Sequence, residues 1–298
     1  MPQVIYIMSD NRSGSTLLEN MLSKSQECFS VGELAMLKGH LLKKGPGERW
    51  NWNCSCGKPF TQCSFWASIV TETNATASAD FQTNTYMNLK NRILNRISIS
   101  PSFFKNKLLQ ICSTPQNMAV TNTENNLFKL VAEKSGKNVI IDSSKNPVQA
   151  LAIYKNRKDI QVKIIWLKRD LRAIAVSKQK WKSLNKKRDK SLLRLLFDVF
   201  YYRRLCYAVS KLINPSDLIM ADYESLAKET DATFQSIIKN AGLQPYPTPE
   251  YMELIEDHTV GGTPGRFERK PIRYDDSWKA SYNNNKSAYK IGAVLNKI

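Results

Sequence analysis

Short apolar runs alternate with amphipathic stretches along much of the chain. Residues 4–8, VIYIM, form the first run and predict a buried strand. The next residues, SDNRSGST, are small or helix-capping types, and leucine and methionine then recur at helical spacing as far as Leu22. This pattern predicts a strand, a tight loop and the start of a helix.

The same alternation returns in the second half of the chain. Strands are predicted over residues 139–141, 162–167 and 218–220. Helices are predicted over residues 124–135, 147–154, 171–181 and 190–213, with two short helices within 223–241. Strands that alternate with helices pair in parallel through right-handed crossovers. We therefore predict an α/β fold with a central parallel sheet flanked by helices.

The stretch between these two regions is less regular. Residues 38–66 predict an inserted loop that packs on the fold and is a candidate substrate-facing lid, because it holds Trp50, Trp52 and Trp66. Residues 71–85 are polar and predict a connecting segment, and residues 86–111 predict helix broken by Pro101. The chain has no internal repeat, so residues 1–298 are expected to form a single domain with a C-terminal tail from about 257.

Composition narrows the class of protein. The 298 residues are 42% apolar, which suits a globular fold. No run of apolar residues is long enough to span a membrane, and the start of the chain lacks the basic region and cleavage site of a signal peptide. We expect a cytoplasmic protein. The net charge of +18 favours an anionic partner such as a polysaccharide or phosphorylated nucleotide, although it also fits a solvated basic surface.

Three of the six cysteines lie close together in CSCGKPFTQC. The C-x-C-x6-C spacing of Cys54, Cys56 and Cys63 can provide three zinc ligands or one disulfide. Four-cysteine zinc sites usually have two C-x2-C arms, whereas this segment has one tight arm. The spacing therefore favours a structural loop of reduced or bridged thiols over a metal site.

The loop after the first strand is a candidate anion site, because free N–H groups and the helix dipole converge at a helix N-terminus. It departs from the ATP-binding pattern Gly-x4-Gly-Lys-Ser/Thr, since no lysine follows Gly14. Its charged residues are Asp10 and Arg12. An acid beside an anion is unfavourable unless it points away or pairs with the arginine.

Polar residues also follow the later strands. Asp142 to Lys145 follow one, LKRDLRAIAVS with Arg169 ends another, and Asp222 and Tyr223 follow the last. Each can be a helix cap or an ion-pair partner. Together they favour a binding crevice, because ligands of parallel sheets bind at the carboxyl ends of the strands.

The segments RSGST, VIIDSSKNP, RDLRAIAVS and DYESL, in this order, resemble the sulfotransferases that use 3′-phosphoadenosine 5′-phosphosulfate, abbreviated PAPS. The resemblance covers most of the chain and is strongest to bacterial and carbohydrate-type members. It implies a P-loop-like three-layer sandwich. It also explains the missing lysine, because PAPS has no β/γ-phosphate pair that needs lysine and magnesium, so no metal is expected at the donor site.

The resemblance implies roles for the loop and the later motifs. Arg169 and Ser177 would bind the 3′-phosphate and Tyr223 the adenine, while Arg266, within GGTPGRFERK at 261–270, is a candidate for a nucleotide-closing tail. The 5′-phosphosulfate would lie on Arg12, Ser13, Gly14, Ser15 and Thr16.

The resemblance also suggests catalytic residues, with Arg12 among them. Glu33, in SVGEL, is similar to the glutamate base of tyrosylprotein sulfotransferases, and Lys145, in SSKNP, matches a lysine on the bridging oxygen and sulfuryl group. The alternatives are a helix cap for Glu33 and an exposed loop position for Lys145. Many family members use a histidine base, but neither His40 nor His258 lies in a matching pattern.

The sequence thus predicts in-line transfer of a sulfuryl group from PAPS to an acceptor hydroxyl, leaving adenosine 3′,5′-bisphosphate. Carbohydrate or glycolipid acceptors are favoured, followed by tyrosine or a small alcohol or phenol, and no nucleic-acid partner is expected. Two other functions stay open: a P-loop-like nucleotide kinase without its lysine, and a non-catalytic basic protein that binds polyanions.

Overall fold

The computed structural model describes residues 1–42, 53–73, 101–184, 191–253, 257–261, 269–283 and 285–297. Five strands form a parallel sheet in the order β2-β3-β1-β4-β5, and a short antiparallel pair, β6-β7, lies apart from it. The strands are β1 (Gln3–Ser9), β2 (Cys28–Gly32), β3 (Val139–Lys145), β4 (Gln161–Lys168), β5 (Leu218–Asp222), β6 (Tyr251–Met252) and β7 (Lys270–Pro271).

Helices cover both faces of the sheet and connect its strands. They are α1 (Ser15–Leu22), α2 (Leu37–Leu41), α3 (Ser64–Thr73), α4 (Pro101–Cys112), α5 (Pro115–Ser135), α6 (Pro147–Asn156), α7 (Leu171–Leu184), α8 (Leu192–Ser210), α9 (Tyr223–Lys228), α10 (Thr230–Ala241) and α11 (Lys286–Leu295). Across the parts of the chain that the structure describes, no helix combines the length and apolar character needed to cross a membrane.

The central strand β1 shows why the fold has three layers. Val4, Tyr6 and Met8 pack in one hydrophobic cluster, whereas Ile5 and Ile7 pack in another on the opposite face. All five side chains are fully buried. A strand covered by helices on both faces needs apolar residues at successive positions, which is the pattern that the sequence showed. The predicted α/β sandwich is confirmed.

Several boundaries differ from the prediction. Strand β2 was not predicted, because its five residues include serine and glycine and have no alternating pattern. Helix α5 begins earlier than predicted, where Thr114 caps it by accepting a hydrogen bond from the N–H of Asn117 and Pro115 occupies the first turn. The predicted loop is wrong over residues 38–41 and 64–66, which lie in helices α2 and α3, and the predicted polar connection is wrong over residues 71–73, which end α3.

The sequence leaves two places open for the tryptophans of the inserted loop, packing on the fold or facing a substrate. Trp66 lies in the hydrophobic core with no exposed surface, beside the buried Phe60. Trp66 therefore packs on the fold, while Trp50 and Trp52 lie outside the described residues. The packing of Trp66 fixes α3 on the body of the fold.

Two buried carboxyl groups make stability depend on pH. Burial raises the pKa of Glu124 to about 8 and that of Asp142 to about 7, from ordinary values of 4.5 and 3.8. At a pH between the ordinary and the raised pKa of each group, the folded chain keeps a proton that the unfolded chain has lost. The free energy of unfolding therefore falls as pH rises through this range. We expect this loss to amount to a few kcal/mol between about pH 5 and 8, at about 1.4 kcal/mol per pKa unit.

Glu124→Gln isolates one part of this effect. A glutamine can keep the hydrogen bond from the Gln149 amide but carries no charge to bury. Urea unfolding at several pH values should show a flatter profile for Glu124→Gln than for the wild type. Glu133→Gln, at an exposed position on the same helix, is the control. A Glu124→Gln profile that follows the wild type at every pH would contradict the assignment.

Candidate active site

The carboxyl ends of the strands meet at one edge of the sheet. Lys145 at the end of β3 lies opposite Met8 of β1, and Ser9 lies opposite Leu167 of β4. Lys168 is paired with Asp222 at the end of β5. The loops that carry the predicted site residues therefore leave the sheet side by side, as a parallel sheet requires.

The loop between β1 and α1 has an unusual backbone conformation. Arg12 and Gly14 both adopt the left-handed region, with φ of 74° and 92°. At Gly14 a Cβ atom would lie 2.4 Å from Cδ2 of Tyr223, so the close approach of that ring requires glycine. Ser13 and Ser15 are buried within the loop, and Thr16 is half-buried. This conformation places the start of α1 next to the ring that follows β5.

Asp10 neither faces solvent nor pairs with Arg12. Its carboxylate lies 2.6 Å from the ammonium of Lys178 on α7, and it is almost fully buried. The hydroxyl of Ser13 donates to the carbonyl of Asp10 at 2.5 Å. Burial raises the pKa of Asp10, and Lys178 opposes that shift. The ion pair neutralises the acid and ties α7 to the loop.

Arg169 joins the loop to β5 and to the C-terminal part of the chain. Its guanidinium lies 4.2 Å from the centre of the Tyr223 ring and donates to the carbonyl of Arg12 at 3.1 Å. It also donates to a carboxylate oxygen of Asp275 at 3.2 Å. The side chain is only 8% exposed. The Arg169 guanidinium is thus a shielded cation with a charge-assisted hydrogen bond to a carboxylate at the edge of the sheet.

Glu33 and Lys145 form the second charged centre. The Glu33 carboxylate lies 2.6 Å from the Lys145 ammonium, and the two side chains are 17% and 9% exposed. Lys145 has φ of 72°, and its carbonyl accepts from the hydroxyl of Tyr202 at 3.2 Å. The largely buried pair thus combines a carboxylate, which can accept a proton, with the compact cation of Lys145.

A distant segment fixes the backbone of Glu33. The N–H of Glu33 donates to the carbonyl of Val260 at 2.7 Å, and Val260 also forms a parallel bridge with Gly32. A Cβ on Gly32 would lie 2.3 Å from that carbonyl, and Gly32 has φ of 72°, so glycine permits the contact. Glu33 is thus held by residues 257–261 rather than by its own loop alone.

The structure brings most of the sequence candidates to one edge of the sheet. Ser177 is half-buried on α7, next to Lys178, whereas Arg266 lies outside the described residues. Sequence reasoning missed Asp275, Tyr202 and Val260. No pattern marks these residues, because their contacts arise only from the tertiary fold.

A loop at a helix N-terminus and shielded cationic side chains at the carboxyl edge of a parallel sheet form an arrangement suited to anionic ligands. The family profile described as "Sulfotransferase family" matches residues 2–248. The chain belongs to the sulfotransferase family, whose members transfer sulfuryl groups. Among curated protein sequences, none matches this chain significantly.

Several solved structures share the fold, among them two sulfotransferase domains. The sulfotransferase domain from the curacin biosynthetic pathway is similar with a TM-score of 0.53 and 16% identity, over 100% of this chain and 98% of that domain. The sulfotransferase domain of the Synechococcus PCC 7002 olefin synthase is similar with a TM-score of 0.50 and 14% identity, over 99% of this chain and 94% of that domain. At these identities the likeness concerns the fold.

Proposed function

We propose that the chain moves the sulfuryl group of PAPS to an acceptor hydroxyl, with Glu33 as the base. The observation that carries this proposal is the 2.6 Å ion pair between Glu33 and Lys145. It lies at the same sheet edge as residues 10–14 between β1 and α1, which we call the phosphate loop. Family membership supports sulfuryl transfer, and the geometry supports the choice of donor and base.

The donor assignment rests on two separate anion sites. The loop around Arg12 and the start of α1 would bind the 5′-phosphosulfate through backbone N–H groups and the guanidinium. Arg169, with Ser177 on the neighbouring helix, would bind the 3′-phosphate in place of the Asp275 carboxylate. Tyr223 would stack on the adenine. The Arg169 guanidinium donates to the backbone carbonyl of Arg12, and this proximity supports assigning both sites to one nucleotide.

The proposed reaction needs a base and a cation close together. The acceptor oxygen would attack the sulfur while the bond from sulfur to the bridging phosphate oxygen breaks, and adenosine 3′,5′-bisphosphate leaves. The Glu33 carboxylate would take the acceptor proton. Lys145 would stabilise the charge that develops on the bridging and sulfuryl oxygens, with Arg12 beside them. Lys145 suits this role as a compact charge.

For the acceptor, we propose a carbohydrate or glycolipid hydroxyl first, then tyrosine or a small alcohol or phenol. The net charge of +18 supports an acidic or polyanionic acceptor. Trp66 gives no support to sugar stacking, because it lies in the core. A transfer screen with radiolabelled PAPS across sugars, glycolipids, peptides and phenols tests this order directly.

Calorimetric titration with adenosine 3′,5′-bisphosphate, without magnesium, tests the donor. We expect saturable binding by the wild type and about 10- to 150-fold weaker binding by Arg169→Ala, because a hydrogen bond to a charged group contributes about 1.5–3 kcal/mol. Arg194→Ala, at an exposed position on α8, is the matched control and should bind like the wild type.

Titrations with other ligands distinguish the proposed function from the two alternatives. Binding of ATP that requires magnesium, without binding of the bisphosphate, would replace the proposal by a nucleotide kinase. Affinity for heparin that falls steeply with salt, without any nucleotide binding, would replace it by a non-catalytic polyanion-binding protein. Equal affinity of Arg169→Ala and the wild type would remove Arg169 from the donor site.

A further inference from the structure

A second cluster of reactive side chains lies outside the proposed active site. The cluster consists of four residues that each offer one metal-ligating atom: Cys54, Cys56, Cys63 and His258. These four atoms all lie within 4.8 Å of one another. Cys54 and Cys63 are buried, His258 is half-buried and Cys56 is exposed. All three sulfurs are thiols rather than disulfides.

The spacing of the ligand atoms fits a tetrahedral metal. Nδ1 of His258 lies 3.4 Å from Sγ of Cys54 and 3.2 Å from Sγ of Cys63. A zinc ion with bonds of about 2.3 Å to sulfur and about 2.0–2.1 Å to nitrogen separates such a pair by about 3.6 Å. Small shifts of the side chains are enough to admit the ion.

A tight turn carries two of the ligands, Cys54 and Cys56. The N–H of Cys54 donates to the carbonyl of Lys58 at 2.9 Å, and the N–H of Gly57 donates to the carbonyl of Cys54 at 2.9 Å. Gly57 has φ of 84°, which lets the chain reverse there and brings Lys58 back beside Cys54. Cys63 then follows immediately before α3.

The fourth corner is held from the other end of the chain. The ring of His258 stacks on Phe65 with centres 4.8 Å apart and planes at 4°. The indole N–H of Trp66 donates to the His258 carbonyl at 2.7 Å, and the N–H of Thr259 donates to the hydroxyl of Ser55 at 2.8 Å. These contacts orient Nδ1 towards the thiols.

We propose that Cys54, Cys56, Cys63 and His258 bind one zinc ion in a closed, structural Cys3His site. The spacing of the cysteines alone favours a metal-free loop, because it does not reveal a ligand 195 residues beyond Cys63. Binding converts three thiols to thiolates and releases three protons, while the histidine binds as neutral imidazole. Four protein ligands complete the coordination, so this metal does not act on substrate.

The proposed ion would also position the catalytic edge. His258 lies two residues before Val260, whose carbonyl accepts from the N–H of Glu33 at 2.7 Å. The carboxylate of Asp257 accepts from the N–H of Ser30 at 2.7 Å. A metal that clamps His258 to the cysteine turn therefore fixes the segment against which Glu33 rests. The positioning of Glu33 matters for catalysis only if the proposed function holds, whereas the metal site does not depend on that function.

Elemental analysis of the full chain, purified under reducing conditions from zinc-supplemented culture, tests the site. We expect about one zinc per chain for the wild type and less than about a tenth of that for Cys56→Ser and His258→Ala. Cobalt(II) added to the chelator-stripped chain should give a thiolate-to-cobalt charge-transfer band and the d–d bands of tetrahedral geometry. Cys56 is exposed, so its substitution tests the metal without opening the core.

Cys112→Ala is the matched control, because Cys112 is a buried thiol outside the cluster. It should keep the full zinc content and the cobalt spectrum. The proposal is overturned if the wild type contains no zinc and gives no cobalt bands, or if Cys56→Ser keeps both. Mass spectrometry that finds a disulfide between two of the three cysteines in the purified chain would overturn it as well.

Discussion

Glu33→Gln is expected to lower kcat by about 10²- to 10⁴-fold, because glutamine cannot accept the proton of the acceptor hydroxyl. The dissociation constant for adenosine 3′,5′-bisphosphate should stay close to that of the wild type, since the nucleotide is proposed to lie on the phosphate loop and Arg169. Transfer of radiolabelled sulfate at saturating PAPS, with the best acceptor of the screen, measures the first quantity, and calorimetry measures the second.

The chain offers a matched control for this substitution. Glu72 pairs with Lys134 at 2.6 Å, the same distance as in the Glu33–Lys145 pair, but on the surface. Glu72→Gln should therefore keep the wild-type kcat. If Glu33→Gln turns over at the wild-type rate, Glu33 is not the base, even though the donor assignment can stand.

Lys145→Ala is expected to lower kcat by about 10²- to 10³-fold, the usual effect of removing one group that stabilises charge in the transition state. Lys145→Arg should not restore full activity, because a planar guanidinium cannot replace a compact ammonium held 2.6 Å from Glu33. Single-turnover transfer from radiolabelled PAPS measures the chemical step, and Lys134→Ala serves as the surface control.

The double variant adds a test of coupling. Glu33 and Lys145 touch, so their effects should not add: Glu33→Gln combined with Lys145→Ala should lose less than the product of the single losses. Full additivity, or a Lys145→Ala variant that loses only affinity for acceptor, would contradict the proposed division of roles between the base and the cation.

The sequence suffices to predict strands β1, β3 and β4 because most of their side chains are buried on both faces of the sheet. Such strands read as continuous apolar runs, as in residues 4–8, and the helices between them carry recognisable caps. Strand β2 is also buried but lacks this signal, because Ser30 and Gly32 interrupt its apolar residues. Its place beside β3 follows from tertiary contacts rather than from its own pattern.

The candidate site was predictable to the extent that its residues follow strands. Lys145 and Arg169 both follow predicted strands, and the carboxyl ends of parallel strands meet at the same edge of a sheet. Asp275 and Val260 contribute through contacts with residues more than a hundred positions away, so no local spacing announces them. Likewise, His258 completes the thiol cluster only after the C-terminal part of the chain has folded back on the turn.

The contact of residues 257–260 with β2 has a consequence for solubility. β2 is an outer strand of the sheet, and a bare outer strand offers its N–H and carbonyl groups to any other extended chain. Here Asp257 takes the Ser30 N–H, and the N–H of Val260 occupies the carbonyl of Val31. Residues 257–260 therefore cover the edge of β2 and block β-pairing with another molecule. Their displacement would expose this edge as a template for aggregation.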